Sequence, residues 1–280
     1  MWSRSWYFDF VSQDGSAGGF VRVGGYPRLG VTWWWAYVVG RTTAGASVEL
    51  RGAVPDEAPF RLDDRALRLT VEPEDEGWQL RAAGVDFALD VRWSPSAPPH
   101  EYGRGNRYEQ PGWARGTVTV GGETLAIDGP GQRDHSWGVR DWWRLGWHWC
   151  AGWLADGERF QATRLEARGR IEPDGYLLPA GGTARPLRSV AVGTAVGTTD
   201  GPAVGTADGT EADPSGLSLT LDGRMFVFDD LAAVPLTLTA PDGRRSILTR
   251  SMSAVRGPDG RTGFGWREHN VPAPRTRPAP

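Results

Sequence analysis

Apolar side chains recur at every second position along most of this chain, and no segment carries a convincing helical stripe. A period of two belongs to the pleated strand, whose neighbouring side chains point to opposite faces. GGFVRVGGYP (18–27) sets Phe20, Arg22 and Gly24 on one face and Val21 and Val23 on the other. TWWWAYVV (32–39) is built from the aromatic and β-branched residues that suit a pleated surface. FRLDDRALRLTVE (60–72) holds a turn at Asp63-Asp64 and then a second strand, and WQLRA, VDFALDVRW, RGTVTV and TLAIDG continue the pattern. In the second half, WWRLGWHWCAGWL (142–154) reads as one long strand, and LSLTLDG, RMFVFD and VPLTLT follow in the same style. Asp156-Gly157, Asp222-Gly223 and Asp242-Gly243 stand where tight hairpin loops belong. The sequence therefore predicts an all-β protein of antiparallel strands.

The strands are too many for one eight-stranded unit. At 280 residues the chain suits two β-barrels or sandwiches, expected at residues 1–130 and 131–280, with the join around residues 125–145. Residues 191–216, AVGTAVGTTDGPAVGTADGTEADPSG, have little side chain to bury and read as an exposed, flexible insertion in the second unit.

Charge and cysteine content remove several function classes. The net charge is −3, from 31 basic and 34 acidic residues, with no concentrated basic stripe, so no nucleic-acid partner is expected. A lone cysteine, Cys150, rules out an intramolecular disulfide framework. MWSRSWYFDF lacks the apolar core of a signal peptide, and no stretch approaches the roughly 20 apolar residues of a membrane-spanning helix. The expectation is a cytoplasmic protein without stable membrane insertion. Exposed edges of a barrel pair would allow a homodimer, which nothing in the sequence demands.

The chemistry concentrates in a few aromatic and polar clusters. GPGQRDHSWGVRDWW (129–143) packs two Arg, two Asp, a His and three Trp into one segment of a chain that has only 4 His. As an extended strand it would turn Asp134 and Ser136 to one face and Arg133, His135 and Trp137 to the other, separating Asp134 from His135 unless the backbone breaks at Gly138. One reading is a buried clasp, in which Arg133 or Arg140 pairs with Asp134 or Asp141 beneath the Trp rings. The other is a site in which Trp rings desolvate a carboxylate until it can donate a proton, with His135 as its partner. FGWREHN (264–270) repeats the flavour with Trp266, Glu268 and His269, and RYEQPGW (107–113) with Tyr108 and Glu109. GWHWCAGW (146–153) sets His148 and Cys150 on the face opposite Trp147 and Trp149; two ligands are not a metal site, and none is assigned. Trp33 and Trp35 share a face that would either line an apolar cavity and stabilise a developing cation, or simply pack against another layer as the Trp34 face packs in the core. GxSxG, HExxH, the P-loop and CxxC are all absent, and no cofactor is expected.

Gly131–Trp142, GQRDHSWGVRDW, resembles the signature of a bacterial family of uncharacterised two-domain β proteins. That family is similar to the superfamily of the carotenoid 1,2-hydratases (hydroxyneurosporene synthases) and the lipocalin-like pericyclases. YFDF, YPRLGVTWWW, YEQPGWARGTVTV and the terminal GFGWREH extend the resemblance over most of the chain. It implies two tandem lipocalin-like β units with a ligand cavity in or between them. It also implies that Asp134, His135 and Trp137 lie near the reacting end of the ligand. The hydratase-like segment tends to read WDHNWG, so Arg133 here replaces an aromatic, implying a less greasy pocket or an added anion contact. The combined expectation is an enzyme acting on a hydrophobic, terpenoid-like or polyketide-like small molecule, by hydration or dehydration, isomerisation or cyclisation. Asp134, His135 and Glu268 would carry the chemistry. Trp33, Trp35, Tyr108, Glu109, Trp137, His148, Trp266 and His269 would contact the ligand, and Arg133, Arg140 and Asp141 would hold the scaffold. The alternative is a non-catalytic carrier of an apolar molecule.

Overall fold

A computed structural model describes residues 2–52, 56–103, 105–167, 170–194 and 216–273. The strands fall into two antiparallel sheets. The first comprises β1 (Trp2–Val11), β2 (Gly18–Tyr26), β3 (Val31–Val39), β4 (Thr43–Arg51), β5 (Phe60–Asp63), β6 (Leu67–Glu74), β7 (Gly77–Gly84), β8 (Phe87–Pro95), β9 (His100–Glu101), β10 (Arg107–Val120) and β11 (Glu123–Val139). The second comprises β12 (Gly146–Leu154), β13 (Arg159–Ala167), β14 (Arg170–Leu178), β15 (Arg185–Pro186), β16 (Val190–Thr194), β17 (Leu217–Leu221), β18 (Arg224–Thr239), β19 (Arg245–Arg256) and β20 (Thr262–Pro272). The path through the first is β4-β3-β2-β1-β11-β10-β8-β7-β6-β5, with β9 beside β10, and through the second β15-β14-β13-β12-β20-β19-β18-β17-β16. Each sheet curls into an open half-barrel, giving two lipocalin-like units in tandem.

Alternation gives each sheet two buried faces. The concave face of the first holds Phe8, Val21, Trp34, Phe60, Leu80 and Trp93. The concave face of the second holds Cys150, Phe160, Leu219, Phe226 and Phe228. A third core, with Tyr7, Phe20, Trp33, Trp35, Trp149, Leu248 and Trp266, lies where the outer faces of the two sheets meet. This explains why every residue of GGFVRVGGY is buried: Val21 and Val23 fill the half-barrel, while Phe20 packs edge-on against Trp266 of the other sheet at 5.5 Å. The indole of Trp266 donates to the Phe10 carbonyl at 3.1 Å, so apolar contact and hydrogen bonding through one side chain tie the two sheets together.

Three expectations shift. The boundary expected at residue 130 falls inside β11, which stays in the first sheet as far as Val139. The single strand expected over 142–154 begins only at Gly146. Asp141 breaks it: its Oδ1 accepts the Trp143 N–H at 3.2 Å and its carbonyl accepts the Arg144 N–H at 3.1 Å, a local turn competing with a ladder. Asn270 Nδ2 then donates to the carbonyls of Trp142 and Leu145, so the link between the sheets is itself fastened to β20. Of the insertion expected over 191–216, residues 191–194 complete β16, residue 216 precedes β17, and residues 195–215 lie outside the described residues. Among the described residues no helix is long and apolar enough to cross a membrane.

Candidate functional site

Register brings the chemistry together. Across the first sheet it aligns Trp35, Arg22, Tyr7, Asp134 and Glu109, one each from β3, β2, β1, β11 and β10. Across the second it aligns Thr163, Trp149, Glu268 and Arg250 from β13, β12, β20 and β19. These rows face one another between the sheets, and residues from both line a cavity of about 570 Å³. Tyr102 and Asn106, just before β10, and Arg140, Trp142 and Leu145 of the inter-sheet link complete its wall. The cavity therefore lies between the two half-barrels.

Ion pairing dominates one side. Arg107 Nε donates to Glu109 Oε1 at 2.8 Å, and its Nη2 lies 2.6 Å from the same oxygen and 2.5 Å from Asp134 Oδ2. Glu109 is fully buried, so both its oxygens need donors. Gln132 Nε2 serves Oε2 at 2.9 Å, and Trp149 Nε1 of the second sheet serves Oε1 at 2.9 Å. Burial pushes the Glu109 carboxyl up to about 7 against the opposing pull of Arg107. Asp9 is also raised to about 7 by burial, although it accepts the Tyr7 hydroxyl at 2.8 Å and the Gln132 N–H at 2.8 Å. Two carboxyl groups raised toward neutrality by burial thus stand behind Tyr7 and Arg107, which line the cavity.

Across the gap Arg250 pairs with Glu268, and Trp147 Nε1 donates to Glu268 Oε1 at 2.5 Å. The Arg250 guanidinium lies 3.8 Å from the centre of the Tyr7 ring, a cation–aromatic contact reaching from one sheet to the other. Burial, and then the neighbouring Arg107, pull Arg140 down to about 10.

Among the residues singled out in the sequence, the acids converge and the histidines do not. Asp134 and Glu268 line the cavity from opposite sheets, and Glu109 backs it through Arg107. His135 turns into the first half-barrel, its ring 4.8 Å from Trp6 and 5.0 Å from Trp137, with Nδ1–H donating to the Ser5 carbonyl at 3.0 Å. Burial holds it down at about 4, so it is neutral at physiological pH. Tyr108 shares that face and accepts from Arg133 Nη2 at 2.7 Å. His148 and His269 stack at 4.0 Å on the far face of the second sheet, and burial pulls His148 down to about 3. Trp33, Trp35 and Trp266 pack in the inter-sheet core without lining the cavity, and Trp33 donates to Glu49 at 2.7 Å.

The Arg/Asp clasp takes other partners than expected. Arg133 serves Tyr108 and Gln110 and lies 4.5 Å from the Trp78 ring centre. Asp134 pairs with Arg107, and Asp141 pairs with Arg244 at 3.1 Å; Arg140 lines the cavity wall. Sequence reasoning passed over Arg22, Arg107, Arg250 and Tyr7. Arg107 had a signal, because it stands two residues before Glu109 on the same strand face. Arg250 had none within its own segment, since its partner is set by cross-strand register. Among the described residues no group of three or more His, Cys, Asp or Glu is arranged to hold a metal ion.

Solved structures share this architecture. An AttH candidate from Nitrosomonas europaea superposes with a TM-score of 0.72 at 14% identity, covering 96% of this chain and 92% of that one. Kievitone hydratase from Nectria haematococca gives 0.66 at 14% identity, covering 95% and 88%. CghA in the presence of Sch210972 gives 0.59 at 13%, covering 96% and 87%. At such identities the likeness is one of fold. No curated protein matches by sequence. A family profile described as a domain of unknown function, DUF7064, matches residues 1–273. The chain is a member of the DUF7064 family, and it shares its tandem two-sheet fold with these solved structures.

Proposed function

We propose that this protein is an enzyme that takes a largely apolar, terpenoid-like or polyketide-like molecule between its sheets. It would transform the molecule by proton transfer, in a hydration or dehydration, an isomerisation or a cyclisation. One observation carries the reading: two carboxylates from different sheets, Asp134 and Glu268, each beside an arginine, face a single cavity of about 570 Å³. That size suits a small organic ligand. Leu145, Trp147 and Leu165 offer apolar surface, and the Trp147 and Tyr7 rings can stabilise positive charge developing on a polyene.

Asp134 and Glu268 are the groups that would exchange a proton with the ligand, with Arg107 and Arg250 steadying whichever charge results. Glu109, raised toward neutrality to about 7 by burial, shares Arg107 with Asp134. His135, on the opposite strand face, contributes to packing. Kievitone hydratase has the same fold and is by name a hydratase, which supports this reaction class. Turnover by D134N and by E268Q, measured on the ligand that co-purifies with the protein, is expected to fall about 10²–10⁴-fold. Full turnover by both variants overturns the assignment.

The complete ion pairing of Asp134 and Glu268 favours a second reading, a carrier whose charges only brace the cavity. Native mass spectrometry separates the two. A co-purified ligand recovered unchanged after prolonged incubation favours the carrier, and its conversion favours the enzyme.

A further inference from the structure

Arg22 is the anomaly in this cavity. It sits on β2 with 3% of its surface exposed, and among the described residues it makes no ion pair. Its guanidinium is held between two indoles, 4.4 Å from the Trp35 ring centre and 4.9 Å from that of Trp142. Nη2 donates to the Tyr26 hydroxyl at 2.9 Å, and Nη1 is buried without a partner. The chain keeps room for this arrangement at Gly24, where a Cβ would come within 2.5 Å of Nη1. Stacking occupies the faces of the guanidinium and leaves its in-plane N–H groups to find an acceptor. A buried cation lacking a counter-charge is costly, so the fold tolerates here what it neutralises at Arg107 and Arg250.

Three further buried donor atoms without partners, on two residues, belong to the same wall. Arg250 spends Nη2 on Glu268 and leaves Nε and Nη1 without partners, and Trp142 Nε1 also has none. Tyr7 connects the group: it stands opposite Arg22 in the strand register, and Arg250 lies over its ring. Arg140, on the same cavity, adds positive charge at that end. Flat, edge-on guanidinium donors beside an indole N–H suit a planar oxyanion, and a carboxylate above all.

We infer that Arg22, with Arg250 and Trp142, forms an oxyanion-binding subsite, and that the cleft takes an organic acid: an apolar body ending in a carboxylate. The inference rests on the cleft being the ligand site and adds the class of molecule it selects. An acid bound there would direct its apolar part toward Leu145, Trp147 and Leu165, near Asp134 and Glu268.

The test uses the whole protein with parinaric acid and its methyl ester, read by energy transfer from tryptophan above the pKa of the bound acid. The acid is expected to bind about tenfold tighter than the ester, and Arg22→Met to erase most of that preference by weakening the acid alone. Trp142→Phe, which keeps a ring and removes the N–H, should reduce the preference about threefold and serves if Arg22→Met does not fold. Equal binding of acid and ester to the wild-type protein overturns the subsite and leaves the cleft as an apolar-ligand site. Undiminished acid preference in both variants also overturns it. Failure of both probes to bind overturns the subsite together with the reading of the cleft.

Discussion

Arg107 neutralises two carboxylates at once, Glu109 behind it and Asp134 on the cavity surface. Replacing it by Met would leave both acids without their cation, one of them fully buried. Arg107→Met is therefore expected to cost about 3–5 kcal/mol in chemical denaturation. A loss below about 1 kcal/mol would mean that Gln132 and Trp149 suffice to hold Glu109. The same residues explain how the sequence signals divide. Tyr108 and Glu109, Asp134 and His135, and Glu268 and His269 are neighbours in sequence, and each pair is split between opposite faces by the strand. Asp134 and Glu268 stood out in the sequence because charge in a Trp-rich strand demands a reason, and both line the cavity. The histidines looked equally informative, but their strand face turned them into the packing of the half-barrels. Apart from Arg107–Glu109, two residues apart on one strand, the ion pairs of the site were not legible, because each joins residues brought together only by register or by the meeting of two strands.

At the scale of elements, β11 does most to shape the site. One of its faces sends Arg133, His135 and Trp137 into the first half-barrel, and the other sends Gln132 and Asp134 toward the second sheet. Its glycines let neighbouring backbone come close: a Cβ on Gly131 would lie 2.2 Å from the Asp9 carbonyl oxygen and 2.9 Å from Trp93 Nε1. Gly131→Ala must move β1 or the Trp93 ring and is expected to destabilise by about 1–3 kcal/mol. Gly146→Ala, whose Cβ would approach nothing closer than 3.5 Å, should stay within about 0.5 kcal/mol. Urea unfolding of the pair checks this, and equal losses would contradict it. Residues 142–145 of the link read as strand because three Trp at 142, 143 and 147 look like a pleated surface. Asp141 outweighs that propensity by supplying a turn and a bond to Arg244.

For the whole molecule, opposing titrations set the response to pH. Asp9 and Glu109 titrate near 7 in the folded protein, raised from 3.8 and 4.5. Their contribution is fully present below those ordinary values and is lost as pH rises through about 7. His135 and His148 run the other way, lowered from 6.5 to about 4 and about 3. Their contribution is present above 6.5 and is lost as pH falls toward those values. Asp9→Asn removes one carboxyl while keeping an oxygen for the Gln132 N–H. Its stability relative to wild type should therefore rise with pH from about 4 to about 7, by at most on the order of 4 kcal/mol. Thermal unfolding across that range checks it, and a flat difference would show that Asp9 does not titrate there.

The sequence by itself determined the strands, most of their turns and the all-β class, because alternation and Asp-Gly pairs act over a few residues. It also determined which neighbours share a face, since the strand period is two whatever surrounds it. What only the tertiary structure decided is what each face meets. A strand has two sides, and its own residues do not say which becomes the inside of a half-barrel and which is covered by another sheet. Packing the outer faces together made Glu109 a partner of Trp149 and set Arg250 over Tyr7. Burial then acted on those meetings, raising Glu109 and Asp9, keeping His135 neutral and leaving Arg22, among the described residues, without an ion pair. These effects depend on distance in space between residues far apart in the chain, which local pattern does not encode.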